Sequence, residues 1–158
     1  MIKFRYRPVI RRVTVGLSFV LALGADSTVL SNASAAGPTK AAFLKRANAV
    51  CTNSVNARSA AMEAVATEIV ESGRKTSIKS ERRQLVEGAI APTEIKMVAR
   101  LGRLTPPVGD EELIGRIVRG LGQGIKKIET EPELAFRPLP VTHADVLAER
   151  YGLPECRV

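Results

Sequence analysis

The chain has 158 residues with 24 basic and 16 acidic side chains, a net charge of +8, and no tryptophan. Aromatic residues make up only 4% of it, which argues against sugar-binding and single-strand-binding surfaces, because both depend on stacked rings. One histidine and two cysteines leave no ligand set for a zinc site.

The first 35 residues read as a secretory signal peptide. Lys3, Arg5, Arg7, Arg11 and Arg12 form a basic start without an acid, Val13–Ala25 is almost entirely apolar, and Ala33-Ser34-Ala35 supplies a small-x-small exit. The apolar run is well short of the roughly 20 residues a helix needs to cross a bilayer. Cleavage is therefore expected, with an uncleaved anchor as the rival, since Val29 and Leu30 extend the apolar character. Removal leaves 19 basic against 15 acidic residues, a net charge of +4. That is too little to imply a nucleic-acid partner.

The remaining residues, 36–158, form one domain of ordinary size. Its only cysteines are Cys51 and Cys156. In an exported protein an even number of cysteines points to disulfide chemistry, and two allow one connectivity. Closing a loop of about 100 residues contributes up to about 4–5 kcal/mol in the chain-entropy model. Two unrelated thiols are the alternative.

A long helix is predicted from Thr39 to about Ser72. Its buried stripe is Phe43, Ala47, Val50, Ser54, Ala57, Ala61 and Val65, at alternating steps of three and four, and Gly73 caps its end. Arg74 to Arg83 is a basic connector. A second helix starts near Ser77 or Ser80 and runs to Leu104, burying Leu85, Ala89, Ile90, Ile95, Val98, Leu101 and Leu104. Pro92 must kink or divide it, because proline removes a ladder bond and clashes with the preceding turn. Thr105-Pro106-Pro107 ends it, and Asp110 is placed to cap a third helix from about Glu111 to Thr130. That helix buries Leu113, Ile114, Ile117, Val118, Leu121, Ile125 and Ile128 despite Gly115, Gly120, Gly122 and Gly124. Pro132, Pro138 and Pro140 imply an extended, irregular stretch. A short last helix spans Thr142 to Tyr151, with Asp145 completing a capping box and Gly152 closing it. The predicted fold is all-α: a small up-down-up bundle of three long helices and a short fourth.

No catalytic motif survives inspection. Gly120-Leu121-Gly122-Gln123-Gly124 lacks the glycine at 125 that a dinucleotide fingerprint needs, and no strand precedes it. His143 and Asp145 lie two apart on a helix, facing different directions. Asp110, Glu111 and Glu112 are accounted for by the dipole at a helix start. No cofactor, metal or catalytic residue is expected, and the protein is read as a non-enzyme. The positive positions are more suggestive. Arg74, Lys75, Lys79, Arg82 and Arg83 form a candidate contact with an anionic surface, whether envelope lipid, wall polymer or an acidic protein. Lys96, Arg100 and Arg103 share one helix face, and Arg116 and Arg119 share another.

Three segments carry a resemblance. These are Phe43-Leu44-Lys45-Arg46-Ala47-Asn48-Ala49-Val50-Cys51, the turn Arg103-Leu104-Thr105-Pro106-Pro107-Val108-Gly109-Asp110-Glu111, and the closing Ala148-Glu149-Arg150-Tyr151-Gly152-Leu153-Pro154-Glu155-Cys156. In that order they resemble an uncharacterised group of small exported actinobacterial helical proteins with one disulfide. The resemblance implies a helical fold and a Cys51–Cys156 bridge, and it assigns no activity. The expected role is an exported, non-enzymatic binding or interaction module of the cell envelope. The alternative is a carrier holding a small apolar ligand within the bundle, between the Pro92-kinked second helix and the glycine-rich third.

Overall fold

The computed structural model describes residues 37–137 and 142–157. The signal segment, Pro138 and Pro140 lie outside the described residues. The described chain is all-α, with α1 (Lys40–Glu71), α2 (Ile78–Leu85), α3 (Ala91–Leu101), α4 (Glu111–Thr130) and α5 (His143–Tyr151). A π turn (Val86–Ile90) joins α2 to α3, and a 3-10 turn (Pro132–Phe136) follows α4. The stretch expected to be extended after Pro132 is therefore helical for five residues.

Local chemistry sets the boundaries. The Thr39 hydroxyl accepts the Ala42 N–H at the start of α1, satisfying a donor that the helix itself leaves free. Gly73, with φ of 61°, takes the left-handed conformation just past the end of α1. At α5 the capping box is complete: Thr142 accepts from the Asp145 N–H, and the Asp145 carboxylate accepts from the Thr142 N–H. Asp110 departs from expectation. It holds the N-cap position of α4 without a side-chain cap bond, because its carboxylate accepts the Tyr151 hydroxyl at 2.6 Å.

The second helical run is divided near Pro92, as expected: the π turn separates α2 from α3 and ends at Ile90, two residues before the proline, with the Ala91 N–H donating to the Val86 carbonyl. The Thr93 hydroxyl donates to the Ala89 and Ile90 carbonyls, 2.8 Å from each. A wider turn and a side-chain donor thus serve carbonyls around the point where proline offers no N–H.

This arrangement changes which residues face the core. The buried positions include Ile90, Glu94, Met97 and Leu101 at 4-3-4 spacing, with Ala89 and Ala91 beside the first. Ile95, expected inside, is 47% exposed, since it lies one residue, or about 100°, around the helix from Glu94. Leu104 falls beyond α3 in the following turn. On α1 the buried residues are Phe43, Ala47, Cys51 and Ser54, while Ala57 is exposed. The α4 stripe is inside as expected, with Leu113 and Val118 half-buried.

Two apolar clusters hold the helices together. The larger joins Phe43, Met97, Leu101, Ile117, Leu121, Tyr151 and Leu153 around the Cys51–Cys156 disulfide. Phe43 and Tyr151 meet edge to face with ring centroids 6.0 Å apart, a favoured aromatic geometry. The Lys40 ammonium lies 4.3 Å from the Tyr151 ring centre. The smaller cluster gathers Val86, Ile90, Ala91, Ile125 and Ile128, with Met62 and Phe136 packed against it.

Candidate functional site

The basic connector joins the end of α1 to the start of α2. Residues 72–80 contain no acid. Arg74, Lys75 and Lys79 are all exposed, and among the described residues none of the three forms an ion pair. Arg82 and Arg83 are engaged. Arg82 pairs with Glu133 beside the 3-10 turn and lies over the Phe136 ring, while Arg83 faces Glu87 at a looser 3.8 Å. Glu81, the nearest acid that follows on the chain, accepts the Thr76 hydroxyl at 2.6 Å. The five candidate cations therefore divide into three free ones at the tip, Arg82, which ties α2 to the 3-10 turn, and Arg83, whose loose contact stays within its own helical run.

The sequence did not reveal what flanks those cations. Val70 is 79% exposed at the end of α1 and Ile78 is 69% exposed at the start of α2. An exposed aliphatic residue on its own is ordinary. Here two bracket the unpaired Arg74 and Lys75, and the unpaired Lys79 follows directly after the second. The signal was legible in retrospect: Val70 lies outside the α1 stripe, and Ile78 is the only apolar residue in 71–84.

The other basic positions sit apart from the tip. Lys96 and Arg100 line a shallow cavity of about 200 Å³ between α1 and α3, and Arg103 is exposed beyond α3. Arg116 and Arg119 line a groove between α4 and α5, together with Lys127. The exposed His143 lies on the opposite wall of that groove.

A buried ion pair links α1 to α3. The Arg58 guanidinium pairs with Glu94, whose side chain is almost completely enclosed. Ser54 donates to the neighbouring Thr93 carbonyl. Burial pushes the Glu94 carboxyl above its ordinary range, and the charge and hydrogen bond of Arg58 pull it back in part. Its second oxygen, Oε2, has no partner. The Tyr151 hydroxyl is likewise pushed well up by burial, reinforced by its hydrogen bond to the Asp110 carboxylate and by that group's charge. Both pairs are tucked between helices and serve packing.

Among the described residues no group of three or more His, Cys, Asp or Glu side chains is disposed to hold a metal ion, and no described helix is long and apolar enough to cross a membrane. No protein-family model, curated protein or solved structure matches the chain.

Proposed function

We propose that the protein is an exported, non-enzymatic binding module of the cell envelope that contacts anionic lipid through the tip between α1 and α2. The observation that carries this reading is the pairing of Val70 and Ile78, both exposed, with the unpaired Arg74, Lys75 and Lys79. A polyanionic wall polymer would use the cations alone, whereas a bilayer interface takes aliphatic side chains together with cations. Export is supported by the signal-like N-terminus, by the resemblance to small exported helical proteins, and by the disulfide, since such bridges persist in oxidising compartments.

The magnitudes describe a reversible contact. Each cation near an anionic bilayer contributes about 1 kcal/mol, and burying a valine or isoleucine contributes up to about 1.5–3 kcal/mol. Ordering the tip and immobilising the protein offset much of this. The expected result is peripheral adsorption that salt reverses.

Co-sedimentation with vesicles tests it. Phosphatidylglycerol-containing vesicles should pull down the mature protein at low salt, and pure phosphatidylcholine vesicles should not. Association should fade as salt rises towards about 0.5 M, where exposed charges are screened within a few ångströms. Reversing Arg74, Lys75 and Lys79 to Glu should abolish it, and the V70S/I78S double variant should weaken it several-fold. Binding lost on charge reversal but indifferent to V70S/I78S would replace lipid with a polymer or acidic-protein partner.

A second reading has an observation of its own. A groove of about 410 Å³ between α3 and α4 is walled by Ile95, Val98, Ala99, Gly122 and Ile125, and Pro92 lines the hollow beside it. A carrier of a small apolar ligand would use this groove. Native mass spectrometry of protein from its own cells should then show a co-purifying mass that an Ala99→Phe substitution removes.

A further inference from the structure

We infer that the groove between α4 and α5 is a separate binding site for a linear amphiphilic anion, meaning a carboxylate or phosphate carried on a short acyl chain. The groove holds about 360 Å³, within the range of small-ligand sites. Along one wall, α4 contributes Arg116, Arg119 and Lys127. Arg116 and Lys127 are eleven residues apart, close to three full turns, so they lie on the same face about 16 Å from each other.

Between those cations the lining is mixed: Gln123, Thr142 and His143 are polar, while Gly120, Gly124, Ala144 and Leu147 give it an apolar stretch. Gly120 lets Ala144 of α5 seat directly on α4, and Gly124 and Leu147 line the groove beside that contact. Gly120 is required for this closeness: a Cβ there would lie 2.5 Å from the Ala144 Cβ. Leucine-rich walls with no charge would suit a neutral ligand, and a fully polar cleft would suit a free anion. This groove has both characters, at different places along its length.

The cations are available. The Arg119 guanidinium folds back over Gly115, within 3.1 Å of where a Cβ would be. Among the described residues Arg119 and Lys127 have no acidic partner, and Arg116 has only the loose, exposed contact with Glu112 at 3.9 Å. Among the described residues no acid lines the groove. An arginine fork offers planar, two-pronged recognition of carboxylate or phosphate, and the adjoining apolar stretch gives an acyl chain a surface to cover.

The site is independent of the α1–α2 tip, so the two can fail separately. Isothermal titration of the mature protein should use decanoate and decyl phosphate below their micellar concentrations. Acetate, inorganic phosphate and decanol serve as partial ligands. Both amphiphilic anions should bind saturably and at least tenfold more tightly than any partial ligand. Arg119→Glu and Lys127→Glu should each weaken decanoate at least fivefold. Gly124→Leu places a bulky side chain on the lining of the groove, so it should block binding, with circular dichroism checking that the variant remains folded. Reversing Arg74, Lys75 and Lys79 should leave decanoate affinity unchanged. The inference is overturned if acetate or phosphate matches decanoate, if decanol matches it, if nothing binds, or if folded Gly124→Leu binds normally.

Discussion

Removing Arg58 should expose the cost of keeping Glu94 inside the protein, and pH should control how large that cost is. Glu94 is 1% exposed. One of its oxygens pairs with Arg58 and the other has no partner. Taking away one member of a buried pair typically costs about 3–5 kcal/mol, because an uncompensated charge is left behind. The Arg58 side chain retains 28% exposure, so water reaches its end of the pair, and we place Arg58→Ala near the lower figure, about 3 kcal/mol at neutral pH. The sign of the pH effect follows from the direction of the shift. Burial holds the folded-state pKa of Glu94 above its unfolded value, so the protonated form favours folding. That contribution is complete below the unfolded pKa and is lost as pH rises through the folded one. Arg58 supplies both influences that lower this pKa, and its loss raises the pKa further. The Arg58→Ala penalty should therefore be full at about pH 7.5 and fall by half or more at about pH 4.5.

Urea unfolding followed by far-ultraviolet circular dichroism suits a helical protein without tryptophan. Wild type and Arg58→Ala should be compared at both pH values, so that titration of all other groups cancels in the difference. Glu94→Gln in the Arg58→Ala background should recover much of the loss at neutral pH, since the buried charge is gone. A penalty independent of pH, or one below about 1 kcal/mol at neutral pH, would refute the reasoning.

Three further outcomes are expected. Replacing Cys51 and Cys156 by Ser should cost up to about 4–5 kcal/mol, seen as a lower urea midpoint that reductant no longer changes, because the bridge closes a loop across nearly the whole described chain. Gly120→Val should destabilise by about 1–3 kcal/mol through overpacking against Ala144, and pairing it with Ala144→Gly should restore part of the melting temperature. Tyr151→Phe should lose about 1.5–3 kcal/mol with its bond to the Asp110 carboxylate; a variant of unchanged stability in thermal denaturation would show that contact to be idle.

Much of the fold was legible because its signals are local. Thr39, Gly73, Asp145 and Gly152 act at single turns, and the apolar spacing of α4 follows a plain 3.6-residue period. Misreadings arose where one element depends on another. Ile95 looks like core in isolation, yet the π turn before Pro92 and the presence of Arg58 on α1 put Glu94 inside in its place. A carboxylate is a poor core residue until its partner is known, and that partner lies 36 positions away. Asp110 has the right chemistry for a cap, but a tyrosine 41 residues later claims its carboxylate. The candidate sites were half legible for the same reason. The cations of 74–83 stand out in one dimension, whereas which of them are neutralised depends on Glu133, brought close only by folding.

The glycines of α4 show how far a physical reading can be pushed once the neighbours are known. In isolation four glycines within one helix read as weakness, each costing up to about 1 kcal/mol against alanine. In the folded chain they have distinct surroundings. Gly120 permits the close approach of α5, Gly115 leaves room for the Arg119 guanidinium, and Gly122 lies where a Cβ would sit 3.8 Å from Val98 on the α3 side. Of those three, only Gly120 is demanded by sterics. Gly122 has no such constraint to justify the helix stability it forfeits, and it lines the groove between α3 and α4. If that groove is idle, alanine at 122 should simply stabilise the protein. If it is used, the same substitution should stabilise it and weaken binding together, and that coupling separates a site from an accident of packing.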